Sequence, residues 1–147
     1  MTPCEAPGET RRIAEEIERI ANFIRGQHRR QMLAAVRSLW RVGDAVRRLR
    51  EIAPEGQWGR AVEICAGRVG MHAASLDEAA RAAQAFGVAE RRSLLQRFES
   101  AATDLSPSHV IELARLPRNR RLEAIDRLLR EPHTVREFRS YLRGDVL

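Results

Sequence analysis

The sequence contains no lysine, and all 26 of its basic side chains are arginine. We attribute this bias to the codon usage of a GC-rich genome, so the missing lysines alone indicate no function. The net charge of +6 still has a physical consequence, because a basic surface attracts phosphate polyanions and anionic membranes. The charge is concentrated in the two outer parts of the chain: residues 1–53 carry +4, residues 54–104 carry −1 and residues 105–147 carry +3.

Cysteine and long apolar runs are also scarce. The cysteines are Cys4, near the N-terminus, and Cys65, inside a helical pattern, which excludes a disulfide-stabilised scaffold. The first residues lack the basic and apolar regions of a secretory signal. The longest apolar runs fall far short of the roughly 20 residues that span a bilayer. We therefore expect a cytoplasmic protein without a membrane partner.

Motifs that would carry catalysis are missing as well. No histidine has the HxxxH or CxxH spacing that gathers metal ligands on one helix face; the four are His28, His72, His109 and His133. The chain has no glycine-rich phosphate loop and no glycine frame around a nucleophilic serine. The sequence thus predicts a protein that is not an enzyme and needs neither a metal nor a cofactor.

Helical periodicity is what the sequence has instead. Hydrophobic residues make up 44% of the chain and charged residues 31%, which indicates a folded protein. No stretch alternates like a strand, so we predict an all-α fold: a multi-helix domain of the helix-turn-helix type, preceded by a long N-terminal helix. We divide the chain into a disordered lead-in (1–9), a long helix or a helical hairpin hinged near Gly26 (10–53), and a helical domain (54–147).

The first part of the long helix carries a stripe of isoleucines. Their spacing of four, three and four residues places them on one helical face, between arginines and glutamates; they are Ile13, Ile17, Ile20 and Ile24. Because this stripe lies far in sequence from the remaining core, we predict that it forms the interface of a homodimer. Arg47, Arg48 and Arg50 follow on the same helix as a basic cluster.

Capping signals divide the rest of the chain into helices. Ser106 followed by Pro107 predicts a helix start, and Thr134 with Glu137 predicts another as a capping box. The four residues from Ser75 to Glu78 predict a second capping box, opening a helix that ends at Phe86 with Gly87 as its left-handed terminus. The predicted helices are 57–68, 76–86, 89–102, a short one from Ser106 to about Leu116, 118–130, and one from Thr134 to about Arg143.

Residues 62–81 have the spacing of a helix-turn-helix. Ala66 is placed where two helices cross closely, Gly70 is in the turn, and Met71 and Leu76 are expected in the core. The acidic first turn of the second helix, which contains Asp77 and Glu78, would meet DNA phosphates unfavourably at a groove edge, although helix capping also accounts for these acids. The spacing therefore predicts a shape better than it predicts base recognition.

Arginines and one histidine supply the candidate contacts to double-stranded DNA. Those at the start of the predicted 118–130 helix combine a guanidinium with a helix N-terminus, both of which favour phosphate. The alternative is a solvated face of mixed charge, because Glu123 and Asp126 lie within one turn of these arginines. The candidates are Arg47, Arg48, His72, Arg81, Arg118, Arg120, Arg121 and Arg127.

Several short motifs resemble known families. They are Leu39, Trp40 and Gly43; the run Gly56, Gln57, Trp58 and Gly59; Leu105, Ser106, Ser108, His109 and Val110; and the closing Thr134, Val135, Arg136, Glu137 and Phe138. Together they resemble the N-terminal domain of YhcG-like nuclease proteins over residues 36–143, and the last two also resemble the helical DNA-binding core of the ParB partition family. The resemblance implies a helical DNA-binding domain. The sequence ends at Leu147, so we do not expect the nuclease domain that usually follows.

Two functions of different classes follow from these features. We favour a dimeric, nucleoid-associated helix-turn-helix protein of a bacterium or its phage, acting in transcriptional control, segregation or nucleoid organisation. The alternative is a protein-interaction adaptor whose isoleucine stripe pairs with a helix of another protein. An amphipathic helix on an anionic membrane fits less well, because the stripe is flanked by Glu15, Glu16 and Glu18.

Overall fold

A computed structural model describes residues 7–101 and 103–144, and within them the chain is all-α. This confirms the predicted fold class and the long N-terminal helix. The described part contains seven helices and no strand; the helices are α1 (Pro7–Ile52), α2 (Trp58–Val69), α3 (Ala73–Ala85), α4 (Val88–Glu99), α5 (Pro107–Ala114), α6 (Arg118–Arg130) and α7 (Val135–Leu142). None of these helices is long and apolar enough to cross a membrane.

Helix α1 is a single helix of 46 residues that continues through Gly26, so the hairpin alternative is wrong. It begins at Pro7, earlier than predicted, because proline fits the first turn of a helix, where its missing N–H is not needed. Its last backbone bond, from the N–H of Ala53 to the carbonyl of Leu49, precedes Pro54, which cannot continue a helix. The remainder of the predicted lead-in, residues 1–6, lies outside the described residues.

The C-terminal half of α1 forms the spine of the protein. Its first buried residues, among them Val36 and Trp40, belong to the main core together with side chains from α3 to α7. Farther along, Val46 joins a smaller core with α2 and α3, which also contains Val62 and Leu76. The end of the long helix and the helices after residue 54 therefore share their hydrophobic cores.

Helices α1 and α3 cross at Gly43. A Cβ atom built on this glycine would overlap the carbonyl oxygen of Ala79 and lie 2.7 Å from the Cβ of Ala83. The two backbones approach this closely because one helix has a glycine at the crossing and the other has alanines. The crossing fixes the position of α3 relative to the arginines on α1.

Three predicted helix ends are present. The side chain of Ser106 accepts a hydrogen bond from the His109 N–H, with Pro107 at the first helical position. Thr134 likewise accepts from the N–H of Glu137. Gly70 is left-handed, with φ +70°, and its N–H bonds to the carbonyl of Ala66 at the end of α2. Each of these ends was identified by a local signal of two to four residues.

Three other local predictions are wrong. Helix α3 begins at Ala73, so Ser75 lies inside the helix and does not cap it. Met71 is 45% exposed and does not belong to the core. Gly87 has φ −68° and is the N-cap of α4. The reason is tertiary: Phe86 ends α3 in an extended conformation with a buried side chain, so a left-handed glycine is not needed.

Candidate nucleic-acid interface

Arg121, predicted to contact phosphate, is instead buried. Its guanidinium donates hydrogen bonds to the carbonyls of Leu113, Ala85 and Leu116, and lies 5.0 Å from the centre of the Phe86 ring. Only 9% of the residue is exposed. It satisfies carbonyls at the ends of α3 and α5, where the helix dipole is negative. We therefore remove Arg121 from the candidate DNA contacts.

The other candidates on α6 are divided between packing and exposure. Arg127 lies 4.7 Å from the centre of the Tyr141 ring and forms an ion pair with Glu131 at 3.3 Å. Arg120 is exposed and donates a long hydrogen bond, 3.4 Å, to the carbonyl of Leu142. Arg118 is exposed and makes no hydrogen bond or ion pair within the described chain. Helix α6 thus presents fewer available guanidinium groups than its sequence suggests.

Arg47 and Arg81 are brought together by the fold. They line a groove of about 520 Å³ between the end of α1 and α3, with Arg50 and Trp58 as neighbours. The Arg50 guanidinium lies 5.6 Å from the centre of the Trp58 ring, a cation–π contact that also holds this arginine in place. The remaining lining residues are Glu51, Asp77, Ala80 and Gln84. The charged side chains of this groove sum to +1.

A second groove, on the α4 side of α1, is more basic. It has a volume of about 550 Å³, and its charged side chains are four arginines and one glutamate: Arg37, Arg41, Arg91, Arg92 and Glu99. Arg37, Arg41 and Arg92 are exposed. None of these three forms a hydrogen bond or an ion pair with another residue in 7–101 or 103–144. Their charges are therefore available to a ligand.

A carboxylate that does not line this groove, Asp44, is paired with one of its arginines. Arg91 holds Asp44 with two hydrogen bonds of 2.7 and 2.9 Å. These bonds lower the pKa of the Asp44 carboxyl below its ordinary value, although partial desolvation acts to raise it. The charges of Arg91, Arg47 and Arg48 make smaller contributions that also lower this pKa. The same arginine caps α3 through the carbonyls of Ala83 and Phe86. Asp44 thus neutralises the one arginine of this groove that has a structural role.

Sequence inspection missed part of this surface for two reasons. Arg37, Arg41 and Arg48 are spaced at four and seven residues, which places them on one face of α1. The spacing is visible in the sequence, but the predicted DNA contacts include only Arg48 of these three. Arg92 could not be found in this way, because its position in the groove depends on the packing of α4 beside α1.

The predicted recognition helix offers DNA an acidic face. Helices α2 and α3 are joined by a turn at residues 70–72, where exposed His72 precedes α3. Half-buried Asp77 and Glu78 precede exposed Arg81 on α3, so these three side chains together carry a net charge of −1. Glu78 is paired with Arg115 at 3.4 Å. Base recognition by this helix remains a prediction, and most of the exposed arginines that line the two grooves lie on α1 and α4.

Ser106 and His109 form a buried pair that has the geometry of a nucleophile and a base. The Ser106 hydroxyl lies 2.7 Å from Nδ1 of His109, and Nε2 donates to the carbonyl of His133 at 2.9 Å. Nδ1 also accepts from the Ser106 N–H. We interpret the pair as a capping box in which histidine takes the place of the usual glutamate.

The burial of His109 makes stability depend on pH. Desolvation is the largest cause that lowers the pKa of His109 below 6.5. The unfolded chain therefore takes up a proton near pH 6.5 while the native histidine remains neutral. We expect the free energy of unfolding to fall as pH decreases below about 6.5, by at most about 1.4 kcal/mol per pH unit for one proton, until the native histidine titrates.

Urea denaturation between pH 7.5 and 5 measures this effect. His109→Gln removes the titrating group and should flatten the dependence, whereas His72→Gln, at an exposed position, should leave it unchanged. Equal slopes for the wild type and His109→Gln would show that His109 does not cause the dependence.

Comparison with known proteins leaves the family open. No family model matches the chain, and no curated protein or solved structure is significantly similar to it. The resemblance to YhcG-like and ParB-like proteins therefore stays a prediction from short motifs.

Proposed function

We propose that the protein binds duplex DNA as a homodimer, mainly through contacts between arginine and phosphate. The observation that best supports this proposal is the basic surface around the C-terminal half of α1, which we name the arginine face. The α4-side groove contributes Arg37, Arg41 and Arg92 to this face. The α3-side groove contributes Arg47, Arg50 and Arg81. Arg48 lies on the ridge between the two grooves. Most of these arginines have no partner in the described chain, unlike Arg121 and Arg127 on α6.

The dimensions of this face suit a DNA backbone. Arg37 and Arg48 are eleven residues apart on one continuous helix, a separation of about 16 Å along its axis. A single DNA strand has one phosphate about every 3.4 Å along the axis, so the ridge can contact several phosphates. Guanidinium groups donate to phosphate oxygens in a bidentate manner, which increases the strength of each contact.

The mode of binding follows from which groups are available. Phosphate contacts position a protein on DNA but carry no direct sequence information. The outward side of α3 is acidic, so we expect weak discrimination between sequences. Nucleoid organisation or segregation therefore fits this mode of binding better than the control of a single promoter does. Control of a promoter is the function that the helix-turn-helix hypothesis still predicts.

Titration of a labelled 30-bp duplex at 50 and 200 mM salt tests the proposal. Arg37→Ala/Arg41→Ala/Arg92→Ala should weaken binding at 50 mM salt by about 100-fold. Loss of three phosphate contacts should also make the slope of log K against log salt concentration shallower by about 2.7. We expect both changes to be similar for random and AT-rich duplexes.

The matched control removes the same charge from α6. Arg118→Ala/Arg120→Ala/Arg130→Ala has the same net charge as the first variant, so it measures the effect of charge alone. The proposal places these arginines, including the predicted contacts Arg118 and Arg120, outside the DNA site. We therefore expect the control to weaken binding at least about tenfold less, because only long-range attraction is lost. If the control loses as much affinity as the first variant, or the wild type does not bind at low salt, the arginine face is not the DNA site.

One observation favours the adaptor as a second candidate. The predicted stripe of Ile13, Ile17, Ile20 and Ile24 is exposed in the single chain, as expected for a surface that binds a protein helix. A pull-down from a nuclease-treated lysate distinguishes the two functions. One stoichiometric foreign partner, together with no duplex binding, would favour the adaptor over the DNA-binding protein.

A further inference from the structure

The N-terminal part of α1 extends away from the body of the protein. Residues 7–28 are exposed except for the half-buried Ala21 and Gly26. The first ion pairs to the body join His28 and Arg29 to Asp104, at 3.6 and 3.9 Å. Leu33 is the first buried residue. The extension is therefore about 30 Å long. Its apolar side chains are 45–60% exposed: Ile13, Ile17, Ile20, Phe23 and Ile24.

We infer that this extension pairs with the same segment of a second copy in the antiparallel direction. The inference rests on the proposed homodimer and specifies its geometry. An isolated helix of this length is only marginally stable in water, so burial of the stripe would also stabilise the helix. The choice of partner and direction follows from the distribution of charge.

Charge divides the extension into two unlike halves. Residues 7–18 contain four glutamates and two arginines, for a net charge of −2. Residues 19–30 contain four arginines and no acidic residue, for a net charge of +4. A parallel pair would place each half against its own like charge, whereas an antiparallel pair places −2 against +4. Opposite charges beside an apolar seam set the orientation of paired helices.

The apolar stripe is symmetric about the same midpoint. With the two-fold axis between Glu18 and Arg19, Ile13 faces the partner's Ile24, and Ile17 faces the partner's Ile20. The small residues Ala14 and Ala21 then lie opposite each other across the two copies and permit close approach. At the ends, Glu9 lies opposite the partner's Arg30. One register therefore satisfies apolar, small and charged positions together.

The body leaves room for a second helix along this stripe. At 3.6 residues per turn, the isoleucines lie on roughly the opposite side of the α1 axis from Leu33 and Trp40, which face the core. A helix beside the isoleucines would therefore not collide with the body as it passes residue 28. Each N-terminal tip would reach the point where the partner's body begins.

Disulfide pairing in the full chain tests the direction without DNA. The native cysteines are first removed by Cys4→Ser and Cys65→Ala. Two proteins are then made in this background, one with Ile13→Cys and one with Ile24→Cys, and they carry tags of different mass. The two are mixed in a glutathione redox buffer. An antiparallel pair favours the mixed 13–24 disulfide, whereas a parallel pair favours 13–13 and 24–24. We expect the mixed product to exceed each homodimeric product by about tenfold or more. Glu15→Cys and Asn22→Cys, related by the same two-fold axis but on the outer face, should give little disulfide.

The solution mass supplies a second readout. Wild type at micromolar concentration should have twice the chain mass of 16.7 kDa, and Ile17→Asp/Ile20→Asp should be monomeric with its body still folded. Excess of 13–13 and 24–24 disulfides would overturn the antiparallel direction. A monomeric wild type would overturn self-pairing and leave the stripe to a foreign partner. Either result is independent of whether the duplex titration succeeds, so the two proposals can fail separately.

Discussion

Gly43→Ala should lower the free energy of unfolding by about 3 kcal/mol, although it adds a single methyl group. The new Cβ would overlap the Ala79 carbonyl oxygen, a backbone atom that cannot move aside without shifting α3. Separating α1 from α3 would also open both cores, because each contains residues from both helices. At this chain length the expected fall in melting temperature is about 10 °C.

Gly67→Ala is the matched control for this prediction. Gly67 is also helical, on α2, but a Cβ built on it meets no atom within 4 Å. Alanine has the higher helix propensity, so this change should raise the free energy of unfolding by about 0.5–1 kcal/mol. Urea denaturation of both variants measures the difference. A Gly43→Ala protein as stable as Gly67→Ala would mean that α1 and α3 do not cross this closely.

The overall fold could be predicted because it depends on local signals. Apolar spacing identified α1, and the caps at Ser106 and Thr134 located α5 and α7 within a residue or two. These signals act between neighbours in sequence, so no knowledge of the tertiary structure was needed. The continuity of α1 through Gly26 was not determined by these signals, because a hinge at this glycine fits the same apolar pattern.

The errors occurred where distant residues replace a local signal. The end of α3 was assigned to a left-handed Gly87, but Arg91 and Arg121 satisfy the last carbonyls of that helix from other elements. The candidate site shows the same limit. Arg121 looks like its neighbour Arg120 in the sequence, and only the packing of α5 and α6 shows that one is buried and the other exposed.

Arg121→Ala should lower the free energy of unfolding by about 3 kcal/mol, because it leaves buried carbonyls without a donor. Two of them, on Leu113 and Ala85, belong to different helices, so the loss should loosen the contact between α3 and α5. Arg121→Lys retains the charge, but its single ammonium cannot reproduce the planar fork. We expect a loss of stability nearly as large.

Arg120→Ala removes the same charge from the adjacent exposed position and separates stability from binding. It should change the free energy of unfolding by no more than about 0.5 kcal/mol. At a temperature where Arg121→Ala is still folded, both variants should bind duplex with the same affinity and the same salt slope, because each lowers the net charge by one. Loss of DNA affinity in Arg121→Ala with unchanged stability would instead place this guanidinium against phosphate. The buried position of Arg121 favours the first outcome, since a side chain that joins the ends of two helices cannot leave them to bind a ligand without unfolding the contact that it stabilises.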